Sequence, residues 1–242
     1  MTPASRAAIN LSKLQDRAPD LISLYKTAEQ PVHEHGLEGV RAPVYLVLDR
    51  SLSMRPFYRD GTVQHLAERI LALAAHFDDD GSVPLVFFST DIDGTADVSI
   101  GSHHGRIQQL HDELGPMGGT NYHWAMDAVI DHHLDTSPHL PALVIFQTDG
   151  GPSSQRAAER FLCKAAHLPL FWQFVGFGEP GDVAFLRELD DLAVPAQRCV
   201  DNSGFFYAGR TPSAVPDEQL YHQLLQDFPN WLSAARAARI LR

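Results

Sequence analysis

The apolar positions fall into short blocks whose period switches back and forth between strand and helix. Val44-Tyr45-Leu46-Val47-Leu48 is continuously apolar, as a strand buried on both faces must be. From 63 to 77 the apolar residues Val63, Leu66, Ala67, Ile70, Leu71 and Ala74 recur at helical spacing. Leu85-Val86-Phe87-Phe88 predicts a second strand, with a short third at 96–100 as its hairpin partner. Helices are expected at 105–114 and 122–133, a strand at 142–147, and a helix at 155–167. A strand at 171–175, a helix at 183–189 and a helical end over 218–241, broken near Pro229, complete the pattern, with Phe205-Phe206-Tyr207 as core or a late strand. Strands alternating with helices predict an α/β fold: a Rossmann-like, doubly wound, mostly parallel sheet with helices on both faces. Residues 1–42 form a helical lead-in whose Leu21, Ile22, Leu24 and Tyr25 face is expected to pack on the main domain, 43–242.

A chain of 242 residues suits one such domain. Its 30 acidic residues against 19 basic ones give a net charge of −11. Nucleic acid and anionic membrane surfaces reward clustered Lys and Arg, so neither is expected as the main partner. The apolar runs are strand-sized and too short to span a bilayer. Cys163 and Cys199 form no C-x-x-C pair, and the start shows no apolar signal core. A cytoplasmic location is the expectation.

In a doubly wound sheet, loops leaving the carboxyl ends of the strands converge where ligands bind. Asp49-Arg50-Ser51-Leu52-Ser53 follows the first strand, and in a near-extended loop Asp49, Ser51 and Ser53 face one point. Gly118-Gly119-Thr120 precedes a helix, with Thr120 at the position of an N-terminal hydroxyl cap. Thr148-Asp149-Gly150-Gly151 follows a later strand. Two carboxylates and three hydroxyls are hard oxygen donors for one divalent cation: Mg²⁺ first, with Mn²⁺ or Ca²⁺ as alternatives.

These three runs, D-x-S-x-S, Gly-Gly-Thr and T-D-G, together resemble the metal-ion-dependent adhesion site of von Willebrand factor A domains, over Pro43 to the C-terminus. The resemblance implies that Ser51, Ser53 and Thr120 coordinate directly, and that Asp49 and Asp149 act mainly through water. It also implies a coordination position open to a partner's carboxylate, hence a metal-dependent protein-interaction module binding a protein that presents an acidic residue. A narrower similarity is to bacterial tellurium-resistance and chemical-stress proteins, through Asp49-Arg50-Ser51, the run from Tyr58 to Gln64 and the lead-in from Leu21 to Gly36. Leu52 stands where that group usually has glycine.

Other motifs compete. Asp91-Ile92-Asp93-Gly94-Thr95 resembles the D-x-D-G-T of haloacid-dehalogenase-type phosphatases, with Asp91 as nucleophile, Asp93 as general acid and Asp190-Asp191 as distant Mg²⁺ ligands. No hydroxyl or lysine stations follow, so a polar turn is favoured and no enzyme activity is expected. Gly176-Phe177-Gly178-Glu179-Pro180-Gly181 matches G-x-G-x-x-G yet reads as a tight strand exit. Asp78-Asp79-Asp80 reads as a solvated helix end. The pairs His103-His104 and His132-His133 could bind a soft cation such as zinc, but adjacent residues on a helix face different ways, so surface histidines are the expectation.

Overall fold

The computed structural model of the protein describes residues 7–194 and 196–241. The lead-in forms α1 (Leu11–Arg17) and α2 (Ile22–Glu34), joined by a 3₁₀ turn at Pro19–Leu21. Then follow β1 (Val44–Asp49), α3 (Arg55–Arg59), α4 (Thr62–Ala74), β2 (Ser82–Phe88) and β3 (Ile92–Ser99). The second half runs α5 (Arg106–Glu113), α6 (Tyr122–Thr136), β4 (Ala142–Thr148), α7 (Gln155–Ala165), β5 (Leu170–Phe177), α8 (Ala184–Asp190) and β6 (Ser203–Gly209). Two helices close the chain, α9 (Asp217–Leu225) and α10 (Phe228–Ala237). Pro229 lies in the first turn of α10, where its missing N–H is harmless, so the break falls just before it.

The six strands lie in the order β3-β2-β1-β4-β5-β6, all parallel except the β2–β3 hairpin. β1, β4 and β5 are buried along their whole length, as their unbroken apolar runs require. β3 starts at Ile92, four residues before the run at 96–100. It is an edge strand with most side chains part-exposed, so polar residues enter it and mask its beginning. One face of the sheet buries Leu46, Leu48, Ile145 and Val175 against α2, α4, α9 and α10. The other buries Val47, Val144, Phe146 and Phe174 against α6, α7 and α8. The chain therefore winds outward in both directions from the β1–β4 pair.

The lead-in belongs to the first of these layers. Leu14, Leu21, Tyr25, Ala28 and Val32 are buried in the same cluster as α4 and α9. His76, 4% exposed, fixes α2 in place: its ring stacks on Tyr25 at 4.1 Å, and its Nε2–H donates to the Tyr25 carbonyl at 3.0 Å. Burial pushes the His76 imidazole down to about 4, which the bond to Tyr25 only partly opposes. A pKa lowered on folding gives stability that is complete above the unfolded value of 6.5 and is lost as pH falls toward 4. The expected loss over that window is about 3 kcal/mol. Urea unfolding at successive pH values should show this acid-side slope in the wild type and a flatter one in His76→Gln.

Candidate metal centre

β1 and β4 are neighbours pointing the same way, so the loops leaving their carboxyl ends open side by side at the point where the winding reverses. Asp49 ends β1 fully buried. Its Oδ1 accepts the Ser51 backbone N–H at 2.6 Å, and its Oδ2 accepts the Thr148 hydroxyl at 2.5 Å. The Tyr58 hydroxyl donates to the Asp49 carbonyl at 3.0 Å. The Ser51 and Ser53 hydroxyls lie 3.1 Å apart. Both reach Oδ1 of Asp149, at 3.4 and 2.9 Å. Four of the five expected donors thus form one hydrogen-bonded group, with Ser53 exposed at its mouth.

The fifth belongs to a loop tied to both sides of this group. Gly118 bridges Ser51, its carbonyl accepting the Leu52 N–H at 3.0 Å, and the Ser153 N–H donates to the Thr120 carbonyl at 2.6 Å. A Cβ on Gly118 would lie 2.5 Å from Thr90 Oγ1 and 3.1 Å from the Thr90 backbone nitrogen, so only glycine allows this approach. Thr120 does not cap α6. Asn121 holds the cap position, and its side chain donates to the Thr90 carbonyl at 2.6 Å instead. Among the described residues the Thr120 hydroxyl has no hydrogen-bond partner, which leaves it available to a ligand.

Burial and like charge hold both carboxyls above their ordinary range. Burial pushes the Asp49 carboxyl up to about 7, the charge of Asp149 adds to the rise, and the bonds from Thr148 and Ser51 oppose it. Burial raises Asp149 too, with Asp182 adding to it. Among the described residues no cationic side chain pairs with either carboxylate. Arg50, inside the D-x-S-x-S loop, points elsewhere: it pairs with Asp93 at 2.8 Å and donates to His111 Nδ1 at 3.1 Å and the Gly115 carbonyl at 2.9 Å. Two buried carboxylates, three hydroxyls and no countercharge are the donor set a hard divalent cation fits.

The competing motifs resolve differently. Asp93 lies within β3 and is consumed by Arg50 and by the Ser89 hydroxyl at 2.7 Å. Asp91 caps its own turn through the Ile92 N–H. Asp190 sits beside Ser203 at the amino end of β6, the opposite end of the sheet from Asp91, so the phosphatase constellation does not assemble. Gly176 is packed against Val183 and Phe205, where a Cβ would come within 3.1 Å of each, so strand–helix packing accounts for it. The expectation of surface histidines fails for two of four. His103 and His133 are buried, because His103 lies in a turn facing the lead-in and His133 faces β1 and the Leu140 carbonyl. Arg50, Tyr58 and Thr148 carry supporting roles that the ligand pattern alone did not reveal.

The family model for the von Willebrand A domain found in the TerF C terminus matches residues 41–241. The uncharacterized protein YcbR of Bacillus subtilis is 33% identical over 221 residues, covering 90% of this chain and 88% of that protein. Among solved structures, proximal thread matrix protein 1 of the mussel byssus aligns with a TM-score of 0.52 at 16% identity, over 80% of this chain and 47% of that one. A von Willebrand factor type A protein of Catenulispora acidiphila aligns at 0.50 and 14% identity, over 78% of this chain and 42% of that one. At such identities these two likenesses concern the fold, and the chain spans less than half of either solved protein.

Proposed function

The chain belongs to the von Willebrand A family found in the TerF C terminus, and from that premise we propose that it captures a protein partner through one bound divalent cation. Asp49, Ser51, Ser53, Thr120 and Asp149 would hold the ion, Mg²⁺ foremost, with Mn²⁺ or Ca²⁺ able to substitute. The observation that carries this is the joining of Ser51, Ser53 and Asp149 by hydrogen bonds of 2.9–3.4 Å at the carboxyl ends of β1 and β4. A cation held mainly by neutral hydroxyls keeps an appetite for an anionic oxygen, which an Asp or Glu of the partner supplies. The net charge of −11 repels an acidic partner at long range, so the cation is required for capture. Leu52, 58% exposed between Ser51 and Ser53, offers apolar contact beside the charged one.

The setting we assign is a bacterial tellurium-resistance or chemical-stress system in the cytoplasm. The family name and two unpaired cysteines, Cys163 and Cys199, support it. No described helix is long and apolar enough to cross a membrane. We assign the module no catalysis, reading its hydroxyls and carboxylates as cation donors. The test is retention of partners from native lysate with Mg²⁺, with EDTA, and with Thr120→Ala in Mg²⁺. A specific partner should be held only by the wild type in Mg²⁺. Equal retention in all three would place binding elsewhere.

A further inference from the structure

Away from the strand ends, three ligand-bearing side chains from distant parts of the chain meet where the lead-in touches the main domain. Asp20 lies in the 3₁₀ turn between α1 and α2, and His103 and His104 lie in the turn before α5. Nε2 of His103 is 2.7 Å from Asp20 Oδ2, and Nε2 of His104 is 3.5 Å from the same oxygen. The two imidazole rings are 4.2 Å apart, and one donor atom from each of the three residues lies within 4.8 Å of the other two. We propose that Asp20, His103 and His104 form a second metal site, for Zn²⁺ or a similar borderline transition-metal ion, that clasps the lead-in to the turn before α5.

The chemistry separates this site from the first. Two imidazoles and one carboxylate suit Zn²⁺, whereas an all-oxygen set suits Mg²⁺. Zinc bonds of about 2.0–2.1 Å place tetrahedral donors about 3.3 Å apart. The His104–Asp20 separation of 3.5 Å already meets that requirement. The His103–Asp20 separation of 2.7 Å needs to open by about half an ångström, a small movement for a carboxylate that is 41% exposed. His103 is the rigid member, with its side chain only 2% exposed. Its carbonyl accepts from Gln64 of α4 at 2.9 Å, and among the described residues its Nδ1 has no hydrogen-bond partner, while its Nε2 meets Asp20. His104 is 76% exposed, so solvent can fill a fourth position and the residue can be replaced without disturbing the core.

Co²⁺, whose visible d–d absorption is strong in tetrahedral sites, is the probe, added to untagged protein in excess Mg²⁺. The expected result is one Co²⁺ per chain with a tetrahedral band that Zn²⁺ displaces. His104→Ala should weaken binding at least about tenfold, the order expected for removing a ligand or its direct support. His139→Ala, another exposed histidine, should change nothing. Asp149→Ala should keep the band, which separates this site from the strand-end site. Absence of the band in the wild type, or its persistence at full affinity in His104→Ala, would overturn the assignment.

Discussion

Arg50→Ala should cost the fold about 3–5 kcal/mol, the range for removing one partner of a buried ion pair. Arg50 is 1% exposed, and its guanidinium is shared among Asp93 of β3, His111 of α5 and the Gly115 carbonyl. Alanine would leave Asp93 beside an unfilled space, with Ser89 as its remaining donor, and would strip two further acceptors of their hydrogen bonds. The His111 ring, stacked on Tyr58 at 4.1 Å, would lose its anchor, and Tyr58 in turn holds the Asp49 carbonyl. The damage should therefore reach the loop that carries Ser51 and Ser53. Arg50→Lys keeps the charge but not the planar fork and should fall between wild type and alanine. Arg50→Met combined with Asp93→Leu should recover most of the loss, because two apolar side chains leave no charge unpaired. Urea unfolding measures all four proteins, and a loss below about 1 kcal/mol for Arg50→Ala would mean that the pair is not the hub its geometry describes.

Asp149→Ala should behave in opposite ways with and without metal. In EDTA the variant loses hydrogen bonds from Ser51 and Ser53 but also sheds a carboxylate that repels Asp49. These effects oppose each other, and the net change should stay within about 1 kcal/mol. In Mg²⁺ at a hundred times its dissociation constant, the wild type should gain about 2.7 kcal/mol by mass action, and the variant almost nothing. Thermal unfolding in the two buffers measures this difference of differences. An equal gain in both proteins would mean that the ion sits somewhere other than beside Asp149.

The sheet was legible because β1, β4 and β5 are buried on both faces and admit almost no polar residues. The candidate donor pattern was legible in part. Asp49, Ser51 and Ser53 do come together, but not along an extended loop: Ser51 is extended, whereas Leu52–Met54 forms a 3₁₀ turn that leaves the Ser53 hydroxyl 3.1 Å from that of Ser51. Asp149 occupies the matching place after β4. What stayed hidden depends on distant pairing. Arg50 reads as a surface residue until Asp93 and His111, 43 and 61 positions later, are folded over it. Spacing makes Thr120 a helix cap, but Asn121 occupies that position, and among the described residues the Thr120 hydroxyl has no hydrogen-bond partner. Helical geometry would turn His103 and His104 different ways, whereas the chain there is a turn, in which both neighbours reach one carboxylate.

Calorimetric titration of the metal-free protein with Mg²⁺, run beside Asp149→Ala and Thr120→Ala, tests the strand-end site most directly. One ion should bind per wild-type chain, with binding lost in Asp149→Ala and clearly weakened in Thr120→Ala. Undiminished affinity in both variants would contradict it.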